Sequence, residues 1–266
     1  MKMHFAELTY REAEALLTDE RTPVLLFPVG STEPHGPHSP LATDPILSMG
    51  MCRRAVDRLG EDPEIRPLIL PPLQYGVTRY TAAFTGVVHV EEATLHALLV
   101  DILGSLIGQG FRHTVLVNNH FEPEHVQTLH RSLDTVQART GVITGYLDLT
   151  RRQRAERLTD EFRDGGSHAG RYETSLVLAE RPELIDEALL RTLPDVPVNL
   201  AEVLSAGAKD FTAVGMTEAY NGSPARASAR EGREVFEILT GMLVEQMRAL
   251  VRATGGRDGP GLYGRI

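Results

Sequence analysis

Short apolar runs of strand length alternate along this chain with longer segments of helical period, and nothing else in the sequence restricts its fold so strongly. Val24 to Val29, Ile69 to Leu73, Thr114 to Val117 and Val142 to Leu147 read as buried strands. Between them, Asp44 as N-cap and Pro45 at the first helical position open a helix towards Leu59-Gly60. Leu95, Leu99, Ile102, Leu103 and Leu106 mark a second helix that stops at Gly108 or Gly110, and Val126, Leu129, Leu133 and Val136 outline a third. A capping box, Thr9 with Glu12, starts a short helix through Leu17. Further helices are expected over Arg171 to Ala179 and Arg230 to Val251. The alternation predicts an α/β fold with a mainly parallel sheet covered by helices on both faces, read as a single domain over residues 1–266. The stretch from Leu193 to Ser223 has no legible period, and Thr212 to Tyr220 within it cannot be placed.

Charge and cysteine usage narrow the partners. With 27 basic and 36 acidic residues the formal charge is −9, spread along the chain, which disfavours phosphate backbones and anionic lipid. No nucleic-acid or membrane partner is therefore expected. Arg151, Arg152, Arg154 and Arg157 form the main basic cluster and read as a solvated helix face or loop. The single cysteine, Cys52, and the lack of a signal-like apolar run point to a cytoplasmic protein.

Three polar clusters carry chemistry. The first, Gly30 to Asp44, places Glu33, His35 and Asp44 on one irregular loop after a strand, the oxygen and nitrogen donors that divalent metals take. The same loop also suits carboxylates that cap helices and histidines that face water. The second, Asn118 to His125, follows another strand and holds His120 and Glu122; its carboxylates equally suit a helix N-terminus. If the two strands are adjacent and parallel, both loops open on one sheet edge, where such sheets bind ligands. The third, Gly165 to Ser175, sets His168 in a glycine-rich turn, free of packing and suited to proton transfer with a pKa near neutrality, or simply exposed.

Pro28 to Asp44 resembles the leading motif of the creatininase family, Pro-Val-Gly-Ser-x-Glu-x-His-Gly-Pro-His-x-Pro-Leu-x-Thr-Asp, almost throughout. His168 to Ser175 resembles its His-Ala-Gly-x-x-Glu-Thr-Ser motif, and Ser223 to Gly232 resembles the segment that leads into its last helix. The resemblance implies a three-layer α/β/α fold, hexameric assembly and two divalent ions, zinc or manganese. Their ligands would be Glu33, His35, Asp44, His120 and Glu122, with Asp44 bridging, and His168 would be the acid/base group. It implies a hydrolase of small molecules in which activated water attacks and His168 passes a proton to the departing nitrogen, assisted by Glu122.

Departures bear on the substrate. His120-Phe121-Glu122 is closer to the His-Tyr-Glu of creatininase itself than to the His-Gly-Gly-Asn of many members, but Phe121 loses a phenolic hydroxyl. Ser167 stands where creatininase has an acidic residue, and the chain has no tryptophan, a residue creatininase closes over its substrate. Thr78, Arg79 and Tyr80 depart from a family loop and, with Phe121 and Ser167, are candidates for substrate contact; Arg79 also reads as a surface charge. Hydrolysis of a non-peptide carbon–nitrogen bond, in a cyclic amide or a formamide on a small polar molecule, is the expectation. Alternatives are ring opening of a cyclic keto-polyol by carbon–carbon cleavage, or a metal-binding relative without turnover. No Walker loop, dinucleotide fingerprint or nucleophile elbow is present.

Overall fold

The computed structural model describes residues 2–166 and 168–255, with the side chains of 253–255 left out; Ser167 lies outside the described residues. Along the chain run α1 (Tyr10–Leu16), β1 (Thr22–Val29), α2 (Thr43–Arg58), β2 (Ile65–Ile69), α3 (Glu92–Gly108), β3 (Thr114–Asn118), α4 (Pro123–Thr140) and β4 (Gly145–Leu147). There follow α5 (Arg152–Ala155), α6 (Asp160–Arg163), α7 (Arg171–Glu180), α8 (Glu187–Leu190), α9 (Leu200–Ser205) and α10 (Ala229–Gly255). The strands pair in parallel in the order β2-β1-β3-β4.

Two-residue periodicity along each strand builds two cores. Val24 and Leu26 of β1, with Val115 and Val117 of β3, face one side, where α2, α7 and α10 supply Met51, Leu176, Phe236 and Leu243. Leu25, Phe27 and Leu116 face the other, against Leu99 and Leu103 of α3 and Leu129 and Leu133 of α4. Helices thus cover both faces of a parallel sheet, the α/β/α arrangement. Burying each of these side chains contributes about 1.5–3 kcal/mol, which is why central strands read as unbroken apolar runs.

Local expectations were met with shifts that have physical causes. The Thr9 and Glu12 capping box forms as drawn, with Thr9 N–H donating to Glu12 Oε2 at 2.7 Å. The second strand lies earlier than Ile69 to Leu73, because Pro71 and Pro72 lack donors for a ladder, while Pro67 is tolerated on an edge strand. Asp44 does not cap α2; Ala42 takes that position and the carboxylate turns to the site. Arg151, Arg152, Arg154 and Arg157 form a helix-and-loop face paired with Asp148, Glu156, Gln246 and Glu245. Among the described residues no helix is long and apolar enough to cross a membrane.

Candidate metal centre

The site forms at the carboxyl ends of β1 and β3, where their loops open on the same edge. Glu33 and His35 come from the loop after β1, Asp44 from the first turn of α2, and His120 from the loop after β3. Gly30 makes this convergence possible, since a Cβ there would stand 2.7 Å from Asp44 Cβ. Ser31 N–H then donates to Asp44 Oδ2 at 3.1 Å. Asn118 clamps its neighbour by accepting from His120 N–H at 3.1 Å and donating to His120 O at 2.6 Å. His168 and Glu173 arrive from the turn before α7 and from its first turns.

Each of the three histidines has one ring nitrogen on a backbone carbonyl. His35 Nδ1 lies 3.0 Å from Glu33 O, His120 Nε2 2.7 Å from Val77 O, and His168 Nε2 3.0 Å from Pro34 O. A carbonyl only accepts, so those nitrogens carry protons, and the opposite nitrogens are the ones that offer a lone pair to an ion once deprotonated. The opposite nitrogens face carboxylates. His35 Nε2 is 2.9 Å from Asp44 Oδ1 and 3.7 Å from Glu173 Oε2, and His120 Nδ1 is 2.9 Å from Glu33 Oε1 and 3.1 Å from Asp44 Oδ2. His168 Nδ1 is 4.0 Å from Glu33 Oε1.

Such a set fits divalent cations. Ligand atoms lie within 4.8 Å of one another in three groups, Glu33 with Asp44 and His120, His35 with Asp44 and Glu173, and Glu33 with His35 and His168; the first two share Asp44. His35 Nε2 is buried, and the polar groups that face it are the carboxylates of Asp44 and Glu173. Nitrogen and oxygen donors crowded together in this way are suited to a common ion.

Electrostatics point the same way. Burial opposes charge on Glu33, yet His120, His168 and His35 hold it well below the usual carboxylate range. Burial likewise opposes protonation of His35, but Asp44, Glu173 and Glu33 push it up to about 10. His120 is raised well above its ordinary value by Glu33 and Asp44 against the cost of burial. The carboxylates draw positive charge into the site, and cations would replace those protons.

His168 is not free of packing, contrary to what its glycine-rich turn suggests. Its ring stacks 4.5 Å from His35 and meets Phe211 at 4.8 Å. Burial and then the charge on His35 push its pKa down to about 4. Asn221 fixes its backbone by accepting from His168 N–H at 3.0 Å and donating its own N–H to His168 O at 2.9 Å. Glu161 of α6 ties the surrounding turns together, accepting from Tyr172 N–H and Ser223 N–H, both at 2.7 Å. Cβ atoms at Gly166 or Gly222 would collide with the Glu161 side chain.

The sequence candidates divide into those at the cavity and those spent elsewhere. Glu122 lines the cavity but accepts from the Arg79 and Tyr80 backbone N–H groups, and burial raises it to about 7. Tyr80 and Phe121 form part of the wall. Thr78 and Thr81 donate to Glu33 Oε2 and orient that carboxylate. The Arg79 guanidinium pairs with Glu91 and Glu92, both at 2.9 Å. Sequence reasoning missed Glu173 as a potential ligand, although the motif contained it, together with Glu161, Asn221 and the wall residues Phe162 and Phe211. The last lies in the stretch without period.

A sequence profile described as creatininase, creatinine amidohydrolase, matches residues 6–247. The chain belongs to the creatininase family. It is 32% identical over 195 residues to creatinine amidohydrolase of Pseudomonas putida, covering 68% of this chain and 72% of that one. It is 28% identical over 222 residues to a mycofactocin precursor peptide peptidase of Mycolicibacterium smegmatis, covering 82% of each. Solved creatininases described as manganese and Zn-Zn forms superpose with a TM-score of 0.71 at 25% identity, over 94% of this chain and 98% of theirs. The protein is accordingly a hydrolase of the creatininase family, with metal-binding residue groups in the same molecule.

Proposed function

We propose that this chain is a two-metal amidohydrolase that cleaves a carbon–nitrogen bond in a cyclic amide or formamide. The observation that carries the reading is that two of the three ligand groups share Asp44, at a cavity of about 510 Å3 that Asp44 itself lines. Glu33, Asp44 and His120 would hold one divalent ion, and His35, Asp44 and Glu173 the other, with Glu122 beside them at the cavity wall. Zinc or manganese is the proposed occupant, as in the solved creatininases. When bound, such ions lower the pKa of water and polarise a carbonyl oxygen.

The residues of this chain handle the proton and exclude bulk water. His168 Nδ1, its lone pair turned to the site because Nε2 is held by Pro34 O, accepts a proton from the attacking water and returns it to the departing nitrogen. Glu122 offers a carboxyl as a second group for that transfer. Phe211 against the His168 ring keeps solvent from the pair. A homo-oligomer, hexameric by family resemblance, is the proposed assembly.

Turnover of a panel of cyclic amides and formamides by zinc- or manganese-loaded protein tests the reading, with His168→Ala as the diagnostic variant. The expected result is retained metal with kcat lowered about 10²–10⁴-fold. An unchanged rate in the variant would remove His168 from the chemistry.

A further inference from the structure

We propose that the cavity selects amides joined to a bulky apolar group that carries an anion, and that Arg163 binds the anion. This inference rests on the hydrolase reading and names its substrate class. The volume of about 510 Å3 falls among sites for drug-sized ligands, about 300–1,000 Å3, and far exceeds what a five-membered cyclic amide fills.

The wall gives the apolar part. Phe121, Phe162, Phe211, Leu200 and Leu204 line one cavity, with Phe121 and Phe162 edge to face at 5.5 Å. A hydrocarbon or aromatic substituent placed there leaves water at about 25 cal/mol per Å2, whereas a small polar molecule would leave the wall wet.

Arg163 gives the charge. It follows Phe162 on α6 and is the one arginine or lysine among the described residues that line the cavity. Its side chain is exposed, and among the described residues the guanidinium has no hydrogen bond or ion pair. Neighbouring arginines are spent: Arg151 on Asp148, Arg157 on Glu245, and Arg171 on Asp160 and Glu231.

Hydroxyls nearby cannot substitute for it. Thr150 and Ser205 also line the cavity, but their hydroxyls donate to Asp148 Oδ1 and Ala201 O. The fork of the guanidinium pairs with a carboxylate through two parallel hydrogen bonds. An anion held there, apart from the carboxylates Glu33, Asp44 and Glu173, directs the amide end of the substrate toward His168.

Calorimetric binding of phenylethanesulfonate and uncharged phenylethanol to the metal-loaded protein tests the assignment; a sulfonate pairs with guanidinium but is a poor metal ligand. The sulfonate should bind at least about tenfold tighter than the alcohol, the size of one charge-assisted pair. Arg163→Ala should abolish that preference, Arg163→Lys should keep part of it, and Phe162→Ala should weaken both ligands. Equal affinities in the wild type, or a preference that survives Arg163→Ala, would overturn the proposal. Hydrolysis of N-formylphenylalanine and N-formylphenethylamine separates the two readings. Equal rates on both amides would defeat the role of Arg163 and leave the hydrolase standing. Arg163-dependent sulfonate binding with full metal occupancy but no cleavage of any amide would support the anion site and defeat the hydrolase.

Discussion

His38 hydrogen-bonds through Nε2 to Thr174 Oγ1 at 2.8 Å and leaves Nδ1 buried without a partner. Burial, with a smaller contribution from the charge on His35, holds its pKa down at about 4 against an ordinary 6.5. The unfolded chain takes up a proton at higher pH than the folded one. Stability from this ring is therefore complete above 6.5 and is lost as pH falls toward about 4, at up to about 1.4 kcal/mol per pH unit. Urea unfolding of wild type and His38→Gln between about pH 7 and about pH 5 should show a steeper loss in the wild type; parallel slopes would place the acid sensitivity elsewhere. At this scale much of the site was legible. Glu33, His35, Asp44 and His120 lie in motifs whose residue types are those of ligands, and the fold brings their ligand atoms together. Glu173 was harder to see, because its approach to His35 depends on the turn before α7. There Ala169 adopts a positive φ of 52° and donates its N–H to Glu173 Oε2 at 2.6 Å, a conformation that no spacing rule announces.

Helix α6 is only four residues long, yet it links the cavity wall to the turn that carries His168. Phe162 faces the cavity, while Glu161 joins the backbone of Tyr172 to that of Ser223 and its carbonyl accepts from Gly166 N–H at 2.8 Å. Removing the carboxylate leaves two backbone donors without partners, at about 1–3 kcal/mol each where they are buried. Glu161→Ala should therefore lower the thermal midpoint and reduce kcat while metal content stays at the wild-type level. Unchanged kcat would show that the His168 turn holds its shape without this clamp. The strands and long helices were legible because their apolar periods are imposed by the two cores. Helix α6 and the 193–223 segment were not, because their order comes from distant side chains: Asn221 Nδ2 donates to Gly165 O at 2.7 Å and Val198 O at 2.8 Å, and Tyr220 OH to Pro194 O at 3.0 Å. Such contacts leave no repeat in the local sequence.

Across the whole molecule, a parallel sheet between two helical layers brings residues from the first third, the middle and the later part of the chain to one edge. The cost is a concentration of buried charge: Glu33, Asp44 and Glu173 are each at most 2% exposed beside three buried histidines. Bound cations would offset that charge and favour the folded state in proportion to their occupancy. Chelation should accordingly lower the thermal midpoint, and added zinc or manganese should restore it; no shift in either direction would speak against a structural contribution from metal. The most direct test of the central claim is elemental analysis of purified, metal-reconstituted protein beside Asp44→Ala, whose carboxylate belongs to two of the three ligand groups. About two divalent ions per chain in the wild type, with both lost or sharply reduced in the variant, is the predicted result. A folded wild-type protein that binds no divalent metal, or a variant that keeps both ions, would contradict it.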